Sequence, residues 1–268
     1  MAMNLGVIGC GKMAHAILSG LNNQSGKYGR IMVNDIDADR CQLFQKDFGS
    51  QAATAQEVIA GSSLILLAVK PAGIEPLLSE LSGVITADKI VVSIAAGIKT
   101  TAIEKWIPAH APVIRVMPNT PALVGKGMTA VCPGKRAQNE QVQLVCELFA
   151  TIGSVVVVDE KHMDAVTAVS GCGPAYFYLI AEAMINAAIN VGLDGNMARQ
   201  LVLETMQGSV SAMQITGRHP AQLRDDVCSP GGSTITAVRK LEEDGIRKAI
   251  FDAIEAAWRK SMELGADK

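Results

Sequence analysis

The 268 residues carry a formal net charge of −2, and 49% of them are hydrophobic, 19% charged and only 4% aromatic. This composition excludes a disordered chain and gives no whole-chain attraction to nucleic acid or to an anionic membrane surface. The length suits one large domain or two modest ones, and the aliphatic-rich, aromatic-poor balance favours helices packed on a parallel sheet.

Short apolar runs predict strands, in chain order, at residues 5–9, 30–34, 64–69, 89–94, 113–116, 128–131 and 154–158. Amphipathic segments separate them. Thr54-Ala55-Gln56-Glu57 and Thr101-Ala102-Ile103-Glu104 both carry the capping-box pattern, in which side chains satisfy free N–H groups of a first helical turn. Strand–helix alternation over residues 1–159 predicts an α/β domain with a doubly wound parallel sheet of Rossmann type. Beyond Asp159 the strand-like runs cease, and residues 160–268 read as an all-helical domain. Its helices are expected over 163–168, 175–191, 197–215, 220–227 and 235–264, broken at Gly171, Gly173 and Pro174, at Gly192, at Gly217 and at Pro230-Gly231-Gly232. The segment 175–191 is apolar nearly all the way round. A helix apolar on every face is buried on every face, which in so small a domain implies a large subunit interface.

The six cysteines form no CxxC pair and no zinc-type spacing, which fits a reducing, cytoplasmic compartment. The N-terminus has neither the basic segment nor the apolar stretch of a signal peptide. No run approaches the roughly eighteen apolar residues of a membrane span. No metal site is expected, because His15, His110, His162 and His219 are scattered and no His/Asp or Ser/His/Asp set accompanies them.

Val7-Ile8-Gly9-Cys10-Gly11-Lys12-Met13-Ala14 closes the first strand and opens a helix. Gly9 permits a tight turn, Gly11 lets the backbone approach a pyrophosphate, and the small Ala14 allows close helix–strand packing. The helix start then offers free N–H groups to the phosphates. A glycine turn needed only for packing is the alternative. The second strand ends at Asn34-Asp35, where an acid binds the ribose 2′-hydroxyl of NADH and repels the 2′-phosphate of NADPH. Lys12 and Arg40 are near enough in sequence to neutralise Asp35, so the cofactor is NAD(P)H with the preference open and a slight tilt to NADH. Ala68-Val69-Lys70-Pro71 and Ser93-Ile94-Ala95-Ala96-Gly97 end the next strands, at the sheet edge where open α/β folds bind ligands. For Lys70 a structural role is the competing reading.

Three further motifs are specific. They are Arg115-Val116-Met117-Pro118-Asn119-Thr120-Pro121, Ser170-Gly171-Cys172-Gly173-Pro174-Ala175-Tyr176, and Asp225-Asp226-Val227-Cys228-Ser229-Pro230-Gly231-Gly232-Ser233-Thr234. With the glycine turn and Ala68–Pro71, in order and at intact spacing from residue 5 to about 264, the chain resembles the pyrroline-5-carboxylate reductases. Cys172 departs from the serine usual there, and Asp35 from the small polar or amide residue of NADPH-preferring members. The resemblance implies a nucleotide-binding domain followed by a helical dimerisation domain, an active site where the two meet across subunits, and a homodimer or a ring of dimers. It places Gly9, Cys10, Gly11, Lys12, Met13, Asn34, Asp35, Ala68, Val69, Lys70, Pro71, Ala95, Ala96 and Gly97 along the dinucleotide. It places Glu160, Asp226, Val227, Ser229, Gly231, Gly232, Ser233 and Thr234 along the substrate, pyrroline-5-carboxylate.

Reducing a cyclic imine requires a hydride donor over C5 and a proton on the ring nitrogen. The imine is basic enough to arrive protonated, so positioning supplies most of the effect and no strong side-chain acid is needed. Pro230-Gly231-Gly232-Ser233-Thr234 runs into a helix start, a natural grip for the substrate carboxylate. The Gly232, Ser233 and Thr234 amides are expected to hold it, with the Thr234 hydroxyl as the catalytic group on the ring nitrogen. Other readings are another imine or hydroxyacid reductase of the same two-domain plan, and a non-catalytic NAD(P)-binding regulator. The hydroxyacid chemistry wants a lysine early in the second domain, where only Lys161 lies at the edge; a regulator would be expected to have a damaged substrate loop, and Ser229 to Thr234 is whole.

Overall fold

In the computed structural model, residues 3–21, 28–107 and 110–266 are described, and they divide into two compact units, Met1–Cys172 with Ala257–Lys268, and Gly173–Ala256. In the first unit the chain runs β1 (Met3–Ile8), α1 (Lys12–Leu21), β2 (Tyr28–Asn34), α2 (Ala38–Phe48), β3 (Gln51–Ala52), α3 (Ala55–Ala60), β4 (Leu64–Leu67), α4 (Ile74–Leu81) and β5 (Ile90–Ser93). It continues through α5 (Thr100–Trp106), β6 (Val113–Met117), β7 (Gly127–Pro133), α6 (Asn139–Ala150), β8 (Gly153–Val157) and α7 (Met163–Val166).

Side chains alternate across the strands, and the alternation builds two apolar layers. Leu5, Val7, Leu64 and Leu66 face one layer, filled by Ile17 of α1, Phe44 of α2 and Phe149 of α6. Ile8, Ile65 and Leu67 face the other, filled by Ile59 of α3, Leu78 of α4 and Ile103 of α5. Each fully buried side chain of this kind contributes about 1.5–3 kcal/mol.

The sheet order is β3-β2-β1-β4-β5-β6-β7-β8. All seven predicted strands form. The two-residue β3 was missed because it is too short to show a period. The first six strands are parallel, but β7 runs antiparallel to β6, with β8 parallel to β7. The doubly wound parallel sheet expected is therefore present over six strands, and the antiparallel entry into β7 extends it. The link 118–126 is shorter than the dozen or so residues of a parallel crossover, so the chain must turn back. Between β1 and β4 the strand order reverses direction, leaving a crevice at their carboxyl ends.

Thr54 and Glu57 form the capping box expected of them. Thr101 and Glu104 do not. Helix α5 starts two residues earlier, with Lys99 at its N-cap, and Glu104 Oε1 instead accepts the Lys135 N–H at 2.8 Å. Residues 160–172, read from the sequence as opening the helical domain, pack with the sheet unit, where Met163 is buried against Ala130 and Cys132.

The second unit holds α8 (Gly173–Asn190), α9 (Gly195–Thr216), α10 (Pro220–Asp226), α11 (Ser233–Glu243) and the first half of α12 (Ile246–Ala266). The helix expected over 235–264 is interrupted at Asp244-Gly245. The expected break at Gly171 is instead a π-helical turn, Thr167–Gly171, that leads almost directly into α8. Glu160–Asn190 thereby becomes one helical stretch long and apolar enough, at a mean hydropathy of 1.2, to cross a membrane by length and composition alone. Joining segments that read as separate in the sequence produces it. Within the single chain only Gly173 and Ala181 of α8 are buried, while Phe177, Tyr178, Leu179 and Met184 are exposed.

Candidate active site

The carboxyl ends of four adjacent strands, β2, β1, β4 and β5, bring together the four segments assigned to the dinucleotide. The strand ladder runs on into them. Gly9 N–H donates to Asn34 O at 2.7 Å, Ala68 N–H to Ile8 O at 2.7 Å, and Ile94 N–H to Leu67 O at 3.1 Å. Gly9 has φ +102°, and a Cβ there would stand 2.6 Å from the Ala68 carbonyl oxygen, so only glycine lets the loops after β1 and β4 approach this closely. At Gly11 a Cβ would meet nothing within 4 Å. The backbone faces open space at the start of α1, a ten-residue helix whose first N–H groups have no partners within the helix. That combination fits a dinucleotide pyrophosphate.

Cys10 is buried beside the turn and Met13 half-buried, while the Lys12 and Lys70 side chains are exposed. Burial, the neighbouring Cys41 thiol and the Asp35 carboxylate together push the Cys10 thiol far up, which keeps it protonated and unreactive. Asn34 donates to Ala53 O at 2.8 Å and so ties β2 to the chain after β3. Asp35 accepts the Cys10 N–H at 2.7 Å and the Asp37 N–H at 2.9 Å. Arg40, considered from the sequence as a neutraliser of Asp35, lies 3.2 Å from Asp37.

Ala95 and Gly97 are buried, and Ala95 N–H donates to Ser93 Oγ at 3.3 Å. The end of α12, which belongs to this unit, packs on the same loop: a Cβ on Gly97 would meet Leu264 Cβ at 3.3 Å. Nearby, Ser261 Oγ donates to Asp164 Oδ1 at 2.7 Å.

Glu160 is placed among protein partners. Its Oε2 accepts the Thr100 N–H at 3.0 Å and the Thr100 hydroxyl at 2.7 Å, and its Oε1 pairs with Arg115 Nη1. Arg115 is 2% exposed and lies in mid-β6 between Ser93 and Cys132. Burial works against the Glu160 charge, but the Thr100 hydrogen bonds and Arg115 outweigh it and hold the carboxyl below its usual range. The same burial, with Glu160 adjacent, pushes the Cys132 thiol up to about 12. Thr100 and Arg115 were not singled out as site residues in the sequence, since no spacing rule connects positions this far apart.

In the second unit, Asp226 and Val227 end α10. Asp226 pairs with Arg218 Nη1 at 2.6 Å, and that hydrogen bond lowers the carboxyl from its usual range. Ser229-Pro230-Gly231-Gly232 forms a β-turn closed by Gly232 N–H to Ser229 O at 3.0 Å, with Gly231 at φ +68°. Gly232 therefore spends its amide inside the turn, which corrects its expected part in an anion grip. The first α11 amide backed by a carbonyl is Thr236, to Gly232 O at 3.3 Å. The Ser233 and Thr234 amides precede it, at the positively polarised end of an eleven-residue helix.

Comparison with known proteins adds the family. Residues 160–264 match the model "Pyrroline-5-carboxylate reductase dimerisation", and residues 4–97 match "NADP oxidoreductase coenzyme F420-dependent". The chain is 41% identical to a pyrroline-5-carboxylate reductase of Corynebacterium melassecola, over 97% of this chain and 98% of that one. Its structure resembles that of a pyrroline-5-carboxylate reductase from Coxiella burnetii at a TM-score of 0.90, with 32% identity over 98% of this chain and 99% of that one. The NADP-bound pyrroline carboxylate reductase of Plasmodium falciparum superposes at 0.88, with 30% identity over 98% of each chain.

Proposed function

The chain belongs to the pyrroline-5-carboxylate reductase family and transfers hydride from NAD(P)H to the C5=N imine of L-1-pyrroline-5-carboxylate, giving L-proline; we propose how its own residues serve that reaction. The observation that carries the reading is the Gly9–Gly11 turn, where a glycine-only contact with Ala68 and open space at Gly11 stand together at the reversal point of the sheet. The nicotinamide, when bound, supplies the hydride.

Gly9, Cys10, Gly11, Lys12 and Met13 hold the pyrophosphate through backbone N–H groups, and Asn34-Asp35 meets the adenine ribose. Ala68, Val69, Lys70 and Pro71, with the small residues Ala95, Ala96 and Gly97, lie along the rest of the dinucleotide. In the substrate loop, the Ser233 and Thr234 amides hold the carboxylate, and the Thr234 hydroxyl oxygen accepts a hydrogen bond from the protonated ring nitrogen. Asp226, Val227, Ser229, Gly231 and Gly232 give this loop its shape. Glu160 serves by positioning: it fixes Thr100, three residues beyond Gly97. With the substrate arriving protonated, orientation of the imine carbon supplies most of the acceleration.

Helices α8 and α9 leave many large apolar side chains exposed, among them Phe177, Tyr178, Leu179, Met184 and Leu201. A second copy covers them, giving a homodimer. All six cysteines are free thiols, which supports a reducing, cytoplasmic setting.

The test is oxidation of NADH and of NADPH by the purified protein with racemic pyrroline-5-carboxylate, with proline identified as product. Proline formed with either cofactor supports the reading. Cofactor binding without turnover would move the chain to another reductase or to a regulator.

A further inference from the structure

We propose that this chain selects NADH over NADPH through two carboxylates, Asp35 facing the adenine ribose and Asp37 withholding from that place the groups that would bind a 2′-phosphate. The proposal deepens the cofactor assignment made above and rests on it. Asp35 is held in place from both sides, by the Cys10 N–H at 2.7 Å and the Asp37 N–H at 2.9 Å. It is anchored to the glycine turn and cannot swing out of the way of an incoming anion without breaking two hydrogen bonds.

Two features beyond β2 would ordinarily attract a phosphate: the guanidinium of Arg40 and the start of α2. Asp37 occupies both. One carboxylate oxygen is the N-cap of α2, accepting the Asp39 N–H at 3.1 Å, and the other lies 3.2 Å from Arg40 Nε. Asp39 adds a further carboxylate in the first turn of the helix. Over residues 35–40 there are three carboxylates and one guanidinium, so the segment sums to −2. The 2′-phosphate of NADPH brings about −1.5 to −2 of its own, as phosphate monoesters do. A 2′-hydroxyl brings none, and it donates a hydrogen bond that Asp35 accepts.

The experiment is a fluorescence titration of the full-length protein with NADH and with NADPH, which reads binding without turnover. The expected result is an NADH Kd lower than the NADPH Kd by about tenfold or more, in a ratio that shrinks as salt screens the repulsion. Asp37→Ser keeps an N-cap oxygen for α2 while releasing Arg40. It should tighten NADPH by roughly fivefold and leave NADH within about twofold. Asp35→Ser should weaken NADH and tighten NADPH, so that the two Kd values converge or cross. NADPH binding as tight as NADH in the unsubstituted protein would overturn the proposal and leave the reductase assignment standing. Binding of neither cofactor would overturn both.

Discussion

Glu160 caps a helix that begins sixty residues before it: its Oε2 accepts both the backbone N–H and the hydroxyl of Thr100, at 3.0 and 2.7 Å. The residue preceding α5, Lys99, offers no capping side chain, so the orphan N–H of the first turn is met by a carboxylate from a distant turn. Because Arg115 is buried beneath the same carboxylate, one side chain settles both the start of α5 and the charge inside β6.

Glu160→Gln removes the charge while keeping the shape, and leaves the Arg115 guanidinium buried without a counter-charge. The expected loss is roughly 3 kcal/mol, the usual cost of removing one partner of a buried pair. Urea unfolding with and without the substitution measures it. The folded carboxyl titrates below its ordinary value of 4.5, so its contribution is complete above that pH and is lost as pH falls through the lower folded value. The gap between the two proteins should therefore narrow on acidification. A gap independent of pH would show that the charge is not what stabilises.

Thr234→Ala tests the hydroxyl assigned to the ring nitrogen. A hydrogen bond to a charged group is worth about 1.5–3 kcal/mol, so kcat/KM should fall by roughly ten- to a hundredfold. Thr234→Ser should restore most of it. Unchanged kcat/KM in the alanine variant would remove the hydroxyl from the mechanism.

Gly9 and Gly11 should separate folding from cofactor binding. Alanine at Gly9 forces a Cβ to 2.6 Å from the Ala68 oxygen at φ +102°, and should lose about 3 kcal/mol or more of stability. At Gly11 the same change meets nothing within 4 Å, and even valine should leave Tm near its original value. The NADH Kd of Gly11→Val should nonetheless rise by about tenfold or more, because the side chain fills the space a pyrophosphate needs. Parallel thermal melts and cofactor titrations distinguish the two. A normal Kd in the valine variant would place the pyrophosphate elsewhere.

Leu179→Asp tests the proposed dimer. Leu179 is 66% exposed in the single chain and sits on the apolar surface of α8. A charge there should halve the mass seen by light scattering and leave the helical circular dichroism intact, since the substitution touches no internal core. An unchanged mass would locate the interface on another face.

The sequence by itself determined what depends on neighbouring residues. The apolar runs gave seven strands in their right places, Thr54 and Glu57 gave a cap, and Gly9-Cys10-Gly11 gave a strand–turn–helix junction, because periodicity and turn chemistry act over a few positions. The pairing of Arg40 with Asp37 was also within reach, being an i,i+3 pair at a helix start. Other features belong to the tertiary structure alone. The reversal of β7 follows from how far residues 118–126 can reach, and the free N–H at the start of α5 is met by Glu160 rather than by a local capping side chain. Gly232 lost its amide to the turn it helps to close. In each case the deciding partner is selected by distance in space, and a carboxylate sixty positions away leaves no mark on the local pattern it completes.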